Sequence, residues 1–165
     1  SAQTAVPTTR RRGEQGAEAR ERDVKILFAA LTILTPKLMP PTASNPLFPF
    51  VIQEDLTPKG IHWDLMLQKG DVLWTWRITC PPDVIGHSSV PLPLERIDDH
   101  PIRFLTYEGP VQNKTGRVHL VEHGRFVIIE QTPSVLAVLF DGIHLKGRFL
   151  LQSTPEPPRW TITKA

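Results

Sequence analysis

Prolines punctuate this chain so often that they limit which folds it can adopt. The sequence has 165 residues and 17 prolines, many of them clustered, as in Pro81-Pro82 and Pro155 to Pro158. Proline lacks an N–H group and its ring clashes inside a helix, so these clusters disfavour long helices. Between them lie short runs rich in β-branched and aromatic residues, which is typical of an all-β barrel or sandwich.

The short runs and the turn signals between them predict the strands. Lys69-Gly70-Asp71, His123-Gly124-Arg125 and Asp141-Gly142 are typical of tight hairpin turns. A helical turn is predicted near 132–138. The strands are predicted at 48–54, 61–68, 71–79, 102–107, 116–122, 125–130, 136–140, 145–152 and 159–164. We therefore expect a mostly β protein, a small antiparallel β-barrel with short helices or helical turns.

The first 45 residues have a different composition from the rest. Residues 1–23 are polar and charged, which predicts a disordered tail; a basic arm that touches DNA is the alternative. The apolar stretch 24–34 is too short to span a bilayer, which takes about 20 residues. We expect a flexible, disordered or proline-rich arm over 1–45 and one barrel domain over 46–165, a length that suits a single core.

Composition sets few limits on function. The net charge of +2 and the pI of about 8.9 do not indicate a nucleic-acid binder by themselves. The single cysteine, Cys80, excludes an internal disulfide and a cysteine-based zinc site. It is compatible with a reducing compartment, and we expect a cytoplasmic protein without membrane association.

A histidine and an aspartate two positions apart form the first candidate site. Alternate side chains of a strand point to the same face, so His62 and Asp64 are expected side by side. An imidazole and a carboxylate on one face could hold a divalent metal, and Asp55 and His100 could complete the ligand set. The alternative is structural: histidines hydrogen-bonded near a core, and an Asp98-Asp99 pair that forms a turn.

Several segments, taken in order, carry a resemblance to a known family. Phe50-Val51-Ile52-Gln53-Glu54-Asp55 followed by His62-Trp63-Asp64-Leu65-Met66-Leu67 resembles the opening motif of the 3′-phosphoesterase domain of bacterial DNA ligase D. The middle and end motifs are resembled by Asp99-His100-Pro101, Tyr107-Glu108-Gly109, His144-Leu145-Lys146-Gly147-Arg148-Phe149 and Trp160-Thr161-Ile162-Thr163-Lys164. The match runs from about Pro46 to Ala165.

The resemblance implies a site and a reaction. Asp55, His62 and Asp64 are the implied ligands of Mn²⁺ or another divalent metal, with Asp55 standing where the family has a histidine. His62 and His100 are the implied catalytic residues, His100 beside the phosphate. The implied activity is removal of a 3′-phosphate or 3′-ribonucleotide from DNA or RNA during repair.

This chain also departs from the family pattern. Met66 stands where the family has a phosphate-clamping arginine, and Phe104 where it has a tyrosine. A family lysine is missing from Thr79-Cys80-Pro81-Pro82. A thioether cannot replace a bidentate guanidinium on phosphate. The candidates for phosphate or nucleic-acid contacts are Gln53, Arg77, Arg96, Arg103, Lys146 and Arg148.

Two groups of residues, one basic and one aromatic, have alternative interpretations. Lys146 and Arg148 alternate with apolar residues and could equally form a solvated strand face. Trp63, Trp74, Trp76 and Trp160 could stack on bases, although a role in the barrel core or wall fits their strand context better.

Three hypotheses for function follow. The first is a stand-alone metal-dependent phosphoesterase that acts on DNA or RNA 3′ ends, with a ligase or polymerase of end joining as candidate partner. The second is a catalytically degenerate module of the same fold that binds nucleic-acid ends or a repair protein. The third is a phosphoesterase with another substrate. A monomer is expected in each case.

Overall fold

The computed structural model describes residues 46–111 and 115–165. The predictions of a disordered tail and a flexible arm over residues 1–45 lie outside the described residues.

Strands dominate the described part of the chain. The helical elements there are α1 (Pro82–His87) and a 3₁₀ helix at Ile102–Leu105. The strands are β1 (Phe48–Thr57), β2 (Gly60–Lys69), β3 (Val72–Ile78), β4 (Leu92–Pro101), β5 (Gly109–Pro110), β6 (Arg117–Gln131), β7 (Val135–Gly142), β8 (Lys146–Ser153) and β9 (Arg159–Lys164).

Eight of these strands close into an antiparallel barrel, as the sequence predicted. The order around the barrel is β1-β2-β3-β4-β9-β8-β7-β6, and β6 returns to pair with β1. The short β5 adds to β6 beside this seam. Closure leaves no barrel strand with an unpaired edge along its full length, which removes the usual liability of an open sheet.

Alternation along the strands divides the apolar residues into two clusters. The barrel interior is filled by residues such as Phe50, Leu65 and Trp76, each at most 1% exposed. A smaller cluster lies on the outer face, where Val51, Met66 and Leu73 pack beneath the 3₁₀ helix. Residues next to one another on β1 therefore pack in two different clusters, which is why four consecutive residues, Phe50 to Gln53, are buried.

Several local predictions are wrong. Residues 102–107 were predicted as a strand but begin with the 3₁₀ helix. Strand β4 at Leu92–Pro101, which contains two prolines, was not predicted. Proline is tolerated there because only part of β4 pairs on each side. The helical turn predicted near 132–138 is instead a tight connection followed by β7.

The hairpin predicted at His123-Gly124-Arg125 is also wrong, because β6 runs through it without a break. Gly124 pairs with β1 on one side and with β7 on the other. A Cβ atom there would lie 2.2 Å from the carbonyl oxygen of Asp141. This glycine permits the close approach of two strands and does not mark a turn. The turn predicted at Lys69-Gly70-Asp71 is confirmed, with Gly70 at φ 62°.

No helix in the described ranges is long and apolar enough to cross a membrane.

A buried carboxylate fixes one connection of the barrel. Glu122 is fully buried, because a bulge between Ile52 and Gln53 in the β1–β6 pairing turns it to the interior face. Its two oxygens accept four backbone N–H groups, from His123, Ile143, His144 and Leu145. The β7–β8 connection is thus folded around one side chain, and its otherwise orphaned donors are satisfied.

We expect Glu122→Gln to destabilise the protein by at least about 2 kcal/mol, since an amide places a donor against backbone N–H groups that are left unsatisfied at roughly 1–3 kcal/mol each. Urea unfolding of the two proteins measures this. The control is Glu130→Gln on the exposed end of the same strand. Equal stability of both variants would contradict the role given to Glu122.

Candidate metal and phosphate site

The pairing of β1 with β2 brings the predicted ligands together. Asp55 lies opposite His62, and Gln53 lies opposite Asp64, in an unbroken antiparallel register. Arg77 on β3 lies opposite Asp64 on its other side. All five side chains belong to the outer face, since Leu65, next to Asp64, is buried in the interior cluster.

The imidazole of His62 lies between two carboxylates. Its Nε2 atom is 3.2 Å from Oδ2 of Asp55 and 3.8 Å from Oδ2 of Asp64. Neither approach has hydrogen-bond geometry, and within the described residues Nε2 of His62 and Oδ1 of Asp55 are buried without a hydrogen-bond partner. Buried polar atoms left in this way are costly unless something else satisfies them.

Arg77 engages the third predicted ligand. Its Nε and Nη2 atoms donate to Oδ1 and Oδ2 of Asp64 at 3.0 and 3.3 Å, a two-pronged ion pair. The hydrogen bond to Asp64 raises the pKa of Arg77 above its ordinary value; burial opposes this, and the charge of Asp55 adds to it. Arg77 therefore remains a fixed positive charge beside the cluster. As the described side chains stand, no three His, Cys, Asp or Glu residues form a complete metal-binding group.

The donor atoms nevertheless suit a divalent cation such as Mn²⁺. Asp55 and His62 each have one buried ligand atom, an oxygen and a nitrogen, that makes no hydrogen bond within the described residues, and hard or borderline divalent metals accept both types. Asp64 is occupied by Arg77, but a carboxylate has about four lone-pair positions and can serve two cations at once. We conclude that Asp55, His62 and Asp64 fit a metal whose charge Arg77 would partly oppose.

Gln53 fixes the segment that covers the outer face. Its Nε2 donates to the carbonyl oxygens of Phe104 and Tyr107 at 3.0 and 3.2 Å. These bonds tie the 3₁₀ helix and the residues after it to β1. They use both hydrogens of the Gln53 amide nitrogen, which leaves this residue without a side-chain donor for the predicted contact with phosphate.

A cavity of about 540 Å³ lies between that segment and the strands. Of the residues predicted for the site, six line it: Gln53, Asp55, Asp64, Arg77, His100 and Arg103. They come from β1, β2, β3, the end of β4 and the 3₁₀ helix. His62 is not part of the lining, although its Nε2 lies beside both carboxylates.

His100 is held in one orientation at this cavity. Its Nδ1 lies 3.0 Å from the carbonyl oxygen of Asp98, and its ring packs edge-on against Phe104. A carbonyl can only accept, so Nδ1 carries the hydrogen of this contact. The Nε2 atom is then the one available for a ligand.

The remaining predicted residues are divided between this cavity and other places. Arg103 is exposed, lines the cavity and forms no ion pair with any described carboxylate, while its guanidinium lies 5.0 Å from the Phe104 ring. Arg96 lies outside the cavity and pairs with Asp99 at 2.7 Å. Lys146 and Arg148 lie on the outer face of β8, a strand that is not adjacent to β1, β2 or β3 in the barrel, and they do not line the cavity.

Met66 and Phe104 are both apolar residues beside the cavity region. Met66 shares the face of Asp64 but is 0% exposed in the outer apolar cluster. An arginine restored at this position would have to bury its charge under the 3₁₀ helix. Phe104 packs between His100 and Tyr107, with ring centroids 5.6 and 5.7 Å away.

Sequence reasoning missed two features of the site. Tyr107 lines the cavity, and its hydroxyl donates to the carbonyl of Pro110; its place in a matched motif was the available signal. The pairing of Arg77 with Asp64 depends on strand register, which the sequence did not reveal. Cys80 lies elsewhere, packed against the interior core, and burial raises the pKa of its thiol, with a smaller contribution from Asp83.

The sequence matches no protein-family model and no curated protein.

We expect Mn²⁺ to raise the melting temperature, because a ligand that binds only the native state stabilises it by roughly 2.7 kcal/mol at a hundredfold excess over Kd. Asp55→Asn should lose most of that rise. Thermal unfolding with and without Mn²⁺ measures the effect, and Asp71→Asn, on the exposed β2–β3 turn, is the control. An undiminished response in Asp55→Asn would remove Asp55 from the ligand set.

Proposed function

We propose that this protein is a divalent-metal-dependent phosphoesterase of the DNA ligase D 3′-phosphoesterase type, acting on the 3′ ends of DNA or RNA. The observation that carries the proposal is the convergence on one cavity of Asp55, Asp64, His100 and Arg103 from separate elements. Such a set combines metal donors, a proton-transfer group and a positive charge, which are the requirements for phosphate-ester hydrolysis. The antiparallel barrel and the resemblance of several segments, in order, to that family's motifs add to this support.

Asp55, His62 and Asp64 are the residues that hold the cation. When bound, a divalent cation supplies Lewis-acid polarisation of a phosphoryl oxygen and a nucleophile at neutral pH. The cluster lies at the cavity wall, so a phosphate that enters can reach it without any opening of the barrel.

His100 moves the proton. With its Nδ1 hydrogen directed to the carbonyl of Asp98, the ring keeps a fixed orientation. Its protonated form donates from Nε2 to the departing 3′ oxygen, so that the terminus leaves as a hydroxyl. The packing of the ring against Phe104 limits its rotation.

Arg103 supplies the positive charge for phosphate that Met66, at the position of the family's arginine, does not. It lines the cavity and has no carboxylate partner in the described ranges, whereas Arg77 is committed to Asp64 and Arg96 to Asp99. Of the three arginines considered, it is the one whose donors can be given to a phosphate.

A second candidate function is a non-catalytic module that binds nucleic-acid ends. The ion pair of Arg77 with Asp64 favours it, because a cation built into the chain already neutralises one metal ligand. On this hypothesis Arg103 and His100 still bind a terminal phosphate, but no hydrolysis follows.

A labelled primer–template that ends in a 3′-phosphate distinguishes the two. We expect Mn²⁺-dependent release of phosphate by the natural protein. His100→Ala should lower kcat by about 10²- to 10⁴-fold, the usual contribution of general acid–base catalysis. Arg103→Ala should lower kcat/KM about 10-fold, the lower end for a charged hydrogen bond, because this residue is exposed.

The matched control is Arg125→Ala, which removes an exposed arginine on β6 outside the cavity and should leave activity unchanged. His62→Ala defines the background. If the natural protein releases no more phosphate than His62→Ala but still binds the primer through Arg103, the enzyme proposal fails and the binding module replaces it.

A further inference from the structure

A second cavity, of about 240 Å³, lies at one end of the barrel. Three of the four tryptophans line it, together with Arg96 and the start of the β6–β7 connection. Its lining includes Trp74, Trp76, Trp160, Arg96 and Gln131. Trp74 and Trp160 are half-buried, so part of their indole surface faces the cavity. Apart from Arg96, none of the residues predicted to contact metal or phosphate belongs to this lining.

The tryptophans do more than fill the core. Trp76 is 1% exposed, and within the described residues its Nε1 has no hydrogen-bond acceptor. An indole N–H can only donate, and leaving it buried without an acceptor is unfavourable. Trp63 provides the contrast, because its Nε1 donates to Oε2 of Glu54 at 3.2 Å. Trp76 therefore contributes ring surface to the lining of the second cavity and also carries a buried donor that lacks an acceptor among the described residues.

Arg96 connects the two cavities. Its guanidinium carbon lies 4.9 Å from the Trp76 ring centre and 6.0 Å from that of Trp74. The same side chain donates to Asp99, which lines the first cavity, and to the carbonyl oxygen of Thr75. Because its charge is paired with Asp99, Arg96 does not require an anionic ligand. It orients the tryptophan rings at this end of the barrel.

We propose that this tryptophan-lined cavity binds a nucleobase. A base has a flat ring for the half-buried indoles and ring nitrogens or carbonyl oxygens that can accept from Nε1 of Trp76. This inference rests on the proposed function, since it assigns the cavity to a base of the nucleic acid whose 3′-phosphate enters the first cavity. A site of this kind recognises a base mainly by stacking on its ring, which every base offers, so it accepts several bases.

The size of the cavity is consistent with this ligand. An engineered cavity of about 150 Å³ in another protein holds benzene, and the second cavity is larger than that by more than half. Its boundary includes the polar residues Gln131 and Thr132, which leaves a hydrophilic side for the sugar. A purely apolar ring would leave the Trp76 donor unsatisfied, so a base should bind better than benzene.

The test uses free nucleosides, with EDTA present so that no metal takes part. Adenosine, guanosine, cytidine and thymidine are titrated into ¹⁵N-labelled full-length protein, and the indole N–H signals, assigned with Trp→Phe variants, are followed by NMR. We expect saturable shifts of the Trp74, Trp76 and Trp160 signals and no shift of Trp63. Trp76→Phe keeps a ring but loses the donor, so affinity should fall about 2- to 12-fold, the contribution of a neutral hydrogen bond.

Trp63→Phe is the matched control and should bind nucleosides as the natural protein does. Equal affinity for benzene and nucleosides, no saturable shift in the three cavity tryptophans, or equal binding by Trp76→Phe and the natural protein would overturn the proposal. Nucleosides carry no phosphate, so this result is independent of the phosphoesterase assay. Phosphate release without nucleoside binding refutes only the base site, and the reverse result refutes only the enzyme.

Discussion

The arrangement described above depends on strand β1, which is hydrogen-bonded to β2 along one edge and to β6 along the other. This double pairing closes the barrel and fixes the direction of every β1 side chain. Phe50 and Ile52 fill the interior, while Val51 and Gln53 face outward. A slip of one residue would exchange these faces, placing Asp55 toward the core and removing the site. The hydrophobic core therefore determines where the proposed metal ligands Asp55, His62 and Asp64 lie.

The site contains both a carboxylate that is paired with an arginine and buried polar atoms that make no hydrogen bond within the described residues. Asp64 is neutralised by Arg77, whereas Asp55 and His62 each keep a buried atom without a hydrogen-bond partner among the described residues. Arg77 stabilises the carboxylate pair when no metal is bound, and the same charge lowers the attraction of the cluster for a cation. On the proposed function, the balance between these two effects determines whether the site hydrolyses a phosphate ester or only binds phosphate. Gln53 and the aromatic contacts of Phe104 hold the cavity wall in either case.

The sequence was sufficient for the fold class and for the neighbourhood of the site, but not for its pairing. Alternation alone placed His62 beside Asp64 on one face, and turn residues located the β2–β3 hairpin. The strand predicted at residues 102–107 is wrong. This segment begins with a 3₁₀ helix, whose apolar side chains cover the outer cluster without the two-residue period of a strand. The turn predicted at Gly124 is wrong, because a glycine that permits close contact between strands cannot be told from a turn glycine in the sequence. Glu122 and the Arg77–Asp64 pair depend on a bulge and on cross-strand register, which are long-range properties.

The central claim is that Asp55, His62 and Asp64 on the outer face of the barrel hold a divalent cation. Anomalous diffraction from crystals grown with Mn²⁺ tests this directly. We predict one strong peak about 2.0–2.6 Å from Nε2 of His62 and a carboxylate oxygen of Asp55, with Asp64 shared between the metal and Arg77. A density map with the protein well ordered, no anomalous peak at this cluster and Arg77 still bound to both oxygens of Asp64 would contradict the account.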